Sequence, residues 1–233
     1  MPITTSIEQV SECAVMIRFN DDTSDNLSEI IGGVTQSLSI KLSHSSMGIT
    51  PSFASILVEY YPHRISFEHL SSIVNDVLSQ PITSSACTTS TLELPVYYHL
   101  SVGPDLASYH NNGMSTSEVI SLHSSTTYAV AAIGFAPGFA FLSGLDEKLV
   151  LSRKRTPRVS LPKGSVGIAE RHTAVYPDKS PGGWNIIGNC PISLYDPQQD
   201  PMIPFSIGAN VKFYPVDLEE FLALGGVINQ GWS

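Results

Sequence analysis

The segment 151–173, LSRKRTPRVSLPKGSVGIAERHT, carries Arg153, Arg155 and Arg158. A guanidinium is a planar fork of donors that matches a carboxylate or a phosphate. On an extended chain Arg153 and Arg155 share a face, because alternate strand residues do. Arg158 joins them only where Pro157 bends the chain. One arginine in a pocket is expected, with the others at the surface or against a partner. The surroundings are basic. Lys148 to Lys179 holds eight basic and two acidic residues in a chain of net charge −9. Such a patch suits a small anion or an acidic surface; the alternative is a solvated basic loop.

Two Gly/Pro-dense segments flank it. IGFAPGFAFLSGL (133–145) contributes Phe135, Pro137, Gly138 and Phe139. Its glycines permit tight turns and Pro137 stiffens the loop, so the aromatics either line a concavity or plug the core. YPDKSPGGWNIIG (176–188) contributes Tyr176, Ser180, Pro181, Gly182, Gly183 and Trp184. Ser180 and the amides of Gly182 and Gly183 are candidates for an anion nest; the alternative is a hairpin with Trp184 in the core. Gly164, Ser165, Val166 and Gly167 offer further amides. His123 and His172 are candidate general bases, although a lone histidine is also a common core residue. Cys190 has no activating base in view and reads as buried and inert.

Standard nucleotide and hydrolase signatures are missing. There is no P-loop, GxGxxG, GxSxG or HExxH, and Lys163 to Gly167 lacks the spacing and terminal Lys-Ser/Thr of a phosphate loop. Any ATP chemistry is therefore expected mainly on a partner. The three cysteines, Cys13, Cys87 and Cys190, suggest neither a disulfide framework nor a metal site.

The elements that position these residues change style near residue 90. CAVMIRF (13–19) reads as a strand and SDNLSEIIGGVTQSLSIKL (24–42) as a helix opened by Ser24 or Asp25. ITPSFASILVEYY (49–61) ends in a strand, SFEHLSSIVNDVLSQP (66–81) is an amphipathic helix capped by Ser66, and LELPVYY (92–98) is a strand. This order suits a ferredoxin-like α+β unit over 1–90. TSSACTTST (83–91) reads as a hinge. Asp105 opens a short helix, and Ser115 with Glu118 forms a capping box for another. From Tyr128 onward, short apolar runs are cut by Gly and Pro, the mark of a mainly-β barrel or sandwich over 91–233.

At 233 residues the chain is long enough for one or two domains. Overall acidity argues against nucleic acid. No basic, apolar leader precedes Cys13, and Gly134, Pro137, Gly138 and Gly144 interrupt the uncharged stretch 126–145. A cytoplasmic protein is the expectation.

GFAPGFAFLSGL, PRVSLPKGSVGIA and YPDKSPGGWNIIG, in this order and spacing, resemble the KipI family, whose members are also described as allophanate hydrolase subunit 1 or as the B subunit of 5-oxoprolinase. The resemblance implies a cyclophilin-like barrel after the ferredoxin-like domain. It implies a KipA-like partner and a LamB/YcsF-like subunit, which together open 5-oxoproline to glutamate with ATP hydrolysis. It leaves two further roles open: inhibition of a sensor histidine kinase, and half of a biotin-dependent carboxyltransferase. In that light Arg158 or Arg153 holds a substrate carboxylate, the Gly164–Gly167 amides and the Ser180–Gly183 turn hold carbonyl or phosphorylated groups, and His123 or His172 moves a proton. The chain departs from the family pattern at Glu170 to Val175, at Asn189-Cys190 and at Ala209.

Overall fold

The computed structural model describes residues 4–20, 26–80 and 91–228. The chain divides into two compact units, 1–89 together with Ser206–Ala209, and 90–205 together with 210–233. The hinge assigned to 83–91 lies outside the described residues apart from Thr91, as do Ser24, Asp25, Pro81 and Cys87.

In the first unit, β1 (Thr5–Ser11), β2 (Ala14–Phe19), β3 (Ser46–Ser52) and β4 (Ser55–Tyr60) form an antiparallel sheet in the order β1-β2-β4-β3. Helices α1 (Leu27–Lys41) and α2 (Phe67–Ser79) complete it. Alternation puts Val15, Ile17 and Phe19 of β2 and Ile56, Val58 and Tyr60 of β4 in the core. Helical spacing adds Ile31, Val34 and Leu38 from α1, and Leu70, Val74 and Val77 from α2. Ser66 caps α2 by accepting from the His69 N–H at 3.3 Å.

Four details differ from the sequence reading. The polar strand β1 carries no apolar alternation that would mark it. The stretch 49–61 spans the turn between β3 and β4. The strand at 92–98, counted in the strand order of the first unit although it lies past residue 90, belongs to the second unit and ends at Val96. Ser206–Ala209, grouped with the barrel by composition, packs on α1 instead. A Cβ on Gly32 would lie 2.5 Å from the Ile207 carbonyl oxygen, so only glycine allows this approach. Ile207 joins the core of this unit.

The second unit contains β5 (Leu92–Val96), α3 (Leu106–Asn111), α4 (Thr116–Ser125), β6 (Thr127–Ile133), β7 (Ala140–Ser143), a 3₁₀ turn (Glu147–Leu149), β8 (Arg158–Leu161), β9 (Ser165–Ala169), β10 (His172–Val175), β11 (Ser180–Gly182), β12 (Asn185–Asn189), β13 (Asn210–Pro215) and α5 (Leu218–Ala223). Seven strands run in the order β12-β9-β10-β7-β6-β13-β5. Tyr97, just past β5, and Asn189 at the end of β12 exchange backbone hydrogen bonds of 2.9 and 3.0 Å. That exchange joins the two sheet edges and makes the sheet a nearly closed barrel. β8 and β11 pair as a separate ribbon. Ser115 and Glu118 form the capping box of α4. Among the described residues, no helix is long and apolar enough to cross a membrane.

Candidate functional site

The sheet register divides the barrel wall into two chemically different faces. Ala174 of β10 pairs with Gly167 of β9, which pairs with Ile186 of β12. This face carries Phe139, Tyr176, Trp184 and Leu161 in one apolar cluster. The neighbouring Thr173 points the other way, toward His123.

The two Gly/Pro-dense segments and the arginine-bearing segment between them meet in that cluster. The Phe139 ring lies 5.2 Å from Tyr176 and 5.7 Å from Trp184, both edge-on. Gly182, in the β8–β11 ribbon, leaves no room for a side chain: a Cβ there would run into the Tyr176 hydroxyl and meet Leu161 Cδ1 at 2.6 Å. Phe139, Tyr176 and Trp184 are buried. They fill the space rather than line an opening, which corrects the assignment of Phe139, Tyr176 and Trp184 as ligand contacts and gives Trp184 the core alternative. Phe135 is the exception. It is 65% exposed and sits at φ 73°, with its ring edge-on to Phe139 at 5.1 Å and Tyr176 at 6.2 Å. A left-handed phenylalanine is unfavourable by about 1–2 kcal/mol, and strain of this kind concentrates where a side chain is held out for use. Pro137 and Pro181 are exposed, and Gly138 is buried at φ 82° under the Leu194 carbonyl.

The amides expected to meet an anion are occupied. Gly164 donates to the Tyr176 carbonyl at 2.8 Å and its own carbonyl accepts from Cys190. Ser165 N–H goes to Pro162, and Val166 and Gly167 lie in β9, which is paired on both sides. Lys163 Nζ reaches Ser193 Oγ at 3.2 Å. The segment is a sheet strand behind a glycine turn and does not fit a nucleotide phosphate. Gly182 and Gly183 have ordinary φ values, and the Gly183 carbonyl accepts from Lys154 N–H at 2.8 Å. The left-handed residue that a nest needs is therefore missing. Ser180 Oγ, in the same ribbon, is buried with no hydrogen-bond partner.

Arg158 does not present an open fork. Its two terminal guanidinium nitrogens donate to Asp105 Oδ2 at 2.7 Å and Oδ1 at 3.0 Å. Lys154 Nζ lies 2.6 Å from Asp105 Oδ1, and the Ile186 N–H donates to Oδ2 at 2.7 Å. Burial raises the Asp105 pKa, but the hydrogen bonds from Arg158, Lys154 and Ile186 outweigh it and hold the carboxyl below its usual range. Asp105 does precede α3, yet its side chain makes no cap. Arg153 is exposed, and its charge opposes the rise that burial imposes on the Tyr176 phenol, which is pushed up to about 12.

The two histidines separate. His123 is fully buried, hydrogen-bonded to Tyr98 and Thr173 and stacked on Phe213 at 4.6 Å. Burial pushes its pKa down to about 3, so it is a neutral core residue without access to a ligand. His172 is half-buried on β10, and burial lowers its pKa. Cys190 is buried with its thiol pushed up to about 12 by desolvation. Among the described residues no cluster of His, Cys, Asp or Glu could hold a metal.

Asp105 and Lys154 are the residues that motif reading passed over. Their signals are faint. Asp105 is the sole Asp, Glu, Lys or Arg between Glu93 and Glu118, while Lys154 hides between two arginines.

The chain is similar to known proteins over most of its length. The model of the carboxyltransferase domain, subdomain C and D, matches residues 5–205. The 5-oxoprolinase B subunit of Bacillus subtilis (strain 168) is 34% identical over 234 residues, covering 96% of this chain and 98% of that one. That of Escherichia coli O157:H7 is 45% identical over 125 residues, 53% of this chain and 57% of that one. The crystal structure of TTHA0988 superposes on 88% of this chain with a TM-score of 0.77 and 29% identity, and this chain spans 40% of TTHA0988. The match over most of its length and the barrel in which its three motifs meet place the chain in the family of the carboxyltransferase domain, subdomains C and D, known also as the KipI family.

Proposed function

We propose that this chain is the B subunit of an ATP-hydrolysing 5-oxoprolinase, which opens 5-oxoproline to glutamate together with a KipA-like and a LamB/YcsF-like subunit in the cytoplasm. The observation that carries this reading is the end-to-end alignment with the Bacillus subtilis protein. In the same reading the first unit is ferredoxin-like and the barrel cyclophilin-like.

The chemistry divides among the members of the complex. A lactam is stabilised by amide resonance, and ATP supplies the activation of its carbonyl oxygen. The Lys163–Gly167 segment of this chain does not fit a phosphate, so the nucleotide belongs to a partner. This chain contributes binding. The exposed Phe135 ring covers the apolar edge of the substrate ring, and the positive edge formed by residues 153–158 faces its carboxylate. His172, the one of the two candidate histidines with solvent access, is assigned the proton transfer. The whole arrangement acts by orienting the substrate and excluding water.

Co-expression with the KipA-like and LamB/YcsF-like subunits tests the reading. Glutamate release that requires both ATP and 5-oxoproline is expected. No release, with tight binding of a sensor histidine kinase, replaces it with a regulatory role. Dependence on a biotin carboxylase replaces it with carboxyl transfer.

A further inference from the structure

Asp105, Arg158 and Lys154 form a cluster of one acid and two cations at the edge of the apolar site. Each member is anchored to a motif. Arg158 begins β8, the ribbon strand paired with β11. The Lys154 N–H is bonded to the Gly183 carbonyl. Asp105 exchanges backbone and side-chain bonds with Ile186 of β12, donating its N–H to the Ile186 carbonyl at 2.9 Å.

Exposure distinguishes the two cations. The Asp105 side chain is 5% exposed and that of Arg158 16%, whereas that of Lys154 is 28% exposed. Lys154 is therefore the open side of the cluster. An ammonium has three donors, and the 2.6 Å contact to Asp105 uses one. The cluster carries one positive charge in excess. Half-buried charge is unfavourable until an opposite charge meets it, and a monoanion supplies that charge.

We propose that Lys154 binds the substrate carboxylate and that Asp105 is the positioning residue that holds its ammonium in place; this inference rests on the 5-oxoprolinase reading. Asp105 fixes the ammonium against a lysine's flexible stem, so that less rotamer freedom is lost on binding.

The test uses the co-expressed complex. Lys154→Met is expected to raise the KM for 5-oxoproline by about tenfold or more and to leave kcat within about twofold, the pattern of lost uniform binding. Lys154→Arg keeps the charge and is expected to retain most of the affinity. Unchanged KM in Lys154→Met, or equal defects in both variants, overturns the proposal. Asp105→Asn is expected to raise KM in the same direction. If it lowers only the unfolding temperature, Asp105 is structural and the positioning half fails. Titration with 5-oxoproline and with 2-pyrrolidinone, which lacks the carboxylate, separates this inference from the enzyme reading because it needs no turnover. Carboxylate-dependent binding that Lys154→Met removes supports the site even if no glutamate is released; binding that is absent, or that ignores the carboxylate, overturns it.

Discussion

Nε2 of His123 lies 2.9 Å from Oγ1 of Thr173, and the proton between them belongs to the histidine. Thr173 has one hydroxyl proton and gives it to the Gly167 carbonyl at 3.1 Å. Its oxygen must therefore accept from Nε2–H. That leaves Nδ1 bare to accept the Tyr98 hydroxyl proton at 2.7 Å. The imidazole is locked as one neutral tautomer within a one-way row of hydrogen bonds.

Acid should break this row. Burial takes His123 from 6.5 in the open chain to about 3 in the fold. Between those values the unfolded chain binds the extra proton, so stability rises with pH through the window and is lost on acidification below 6.5. At about 1.4 kcal/mol for each pH step of one below that value, the loss at pH 4.5 is about 2–3 kcal/mol. Urea midpoints at pH 7 and pH 4.5 check this: the gap between them should shrink in His123→Asn. An unchanged gap would show that the histidine is not the acid-labile group.

Arg158→Ala is expected to act on stability before it acts on binding. The substitution removes two of the four hydrogen-bond contacts of the Asp105 carboxylate, leaving Lys154 and the Ile186 N–H. Removing one partner of a buried pair costs about 3–5 kcal/mol, and the partial exposure of Arg158 argues for the lower end. A loss below about 0.5 kcal/mol, the size of an ordinary surface change, would mean that the pair contributes little.

The two adjacent glycines of the Pro181-Gly182-Gly183-Trp184 turn should respond differently. A Cβ on Gly182 runs into the Tyr176 hydroxyl and Leu161, whereas one on Gly183 meets nothing nearer than 3.6 Å. Gly182→Ala is expected to cost about 1–3 kcal/mol as overpacking, and Gly183→Ala to be tolerated. Thermal unfolding of the pair decides the matter, and equal shifts would contradict the packing described.

Phe135→Gly releases a left-handed strain and removes a ring that is mostly in solvent. Stability should change by less than about 1 kcal/mol. On the proposed reading, glutamate release by the assembled complex should fall, because Phe135 is assigned to cover the substrate ring. Full activity in this variant would remove Phe135 from the site.

Much of this architecture was legible in the chain. Alternating Val15, Ile17 and Phe19 announced β2, the spacing of Leu70, Val74 and Val77 announced α2, and the Gly/Pro rhythm after Tyr128 announced a mainly-β barrel or sandwich. The meeting of the three motif segments was legible too, through their glycines and aromatics. What these residues do there was not. Whether an aromatic lines a pocket or fills it depends on the opposite wall, which for Trp184 is Phe139, far away in sequence. Whether an arginine is open or paired depends on Asp105, which lies in another element and looks like a helix cap. The Gly164–Gly167 amides looked available because strand pairing leaves no mark on the residues that are paired.

Ser206–Ala209 completes the first unit, and the next residues, Asn210–Pro215, form the strand that joins β5 to β6. During synthesis, the last piece of each unit therefore emerges from the ribosome in the same late ten residues. Vectorial folding from the N-terminus, the usual order for a chain with two domains, leaves the place of Ile207 on the first core to be filled late. A nascent chain halted before Ser206 holds two unfinished bodies, each with an exposed seam that the same short stretch of polypeptide will later seal.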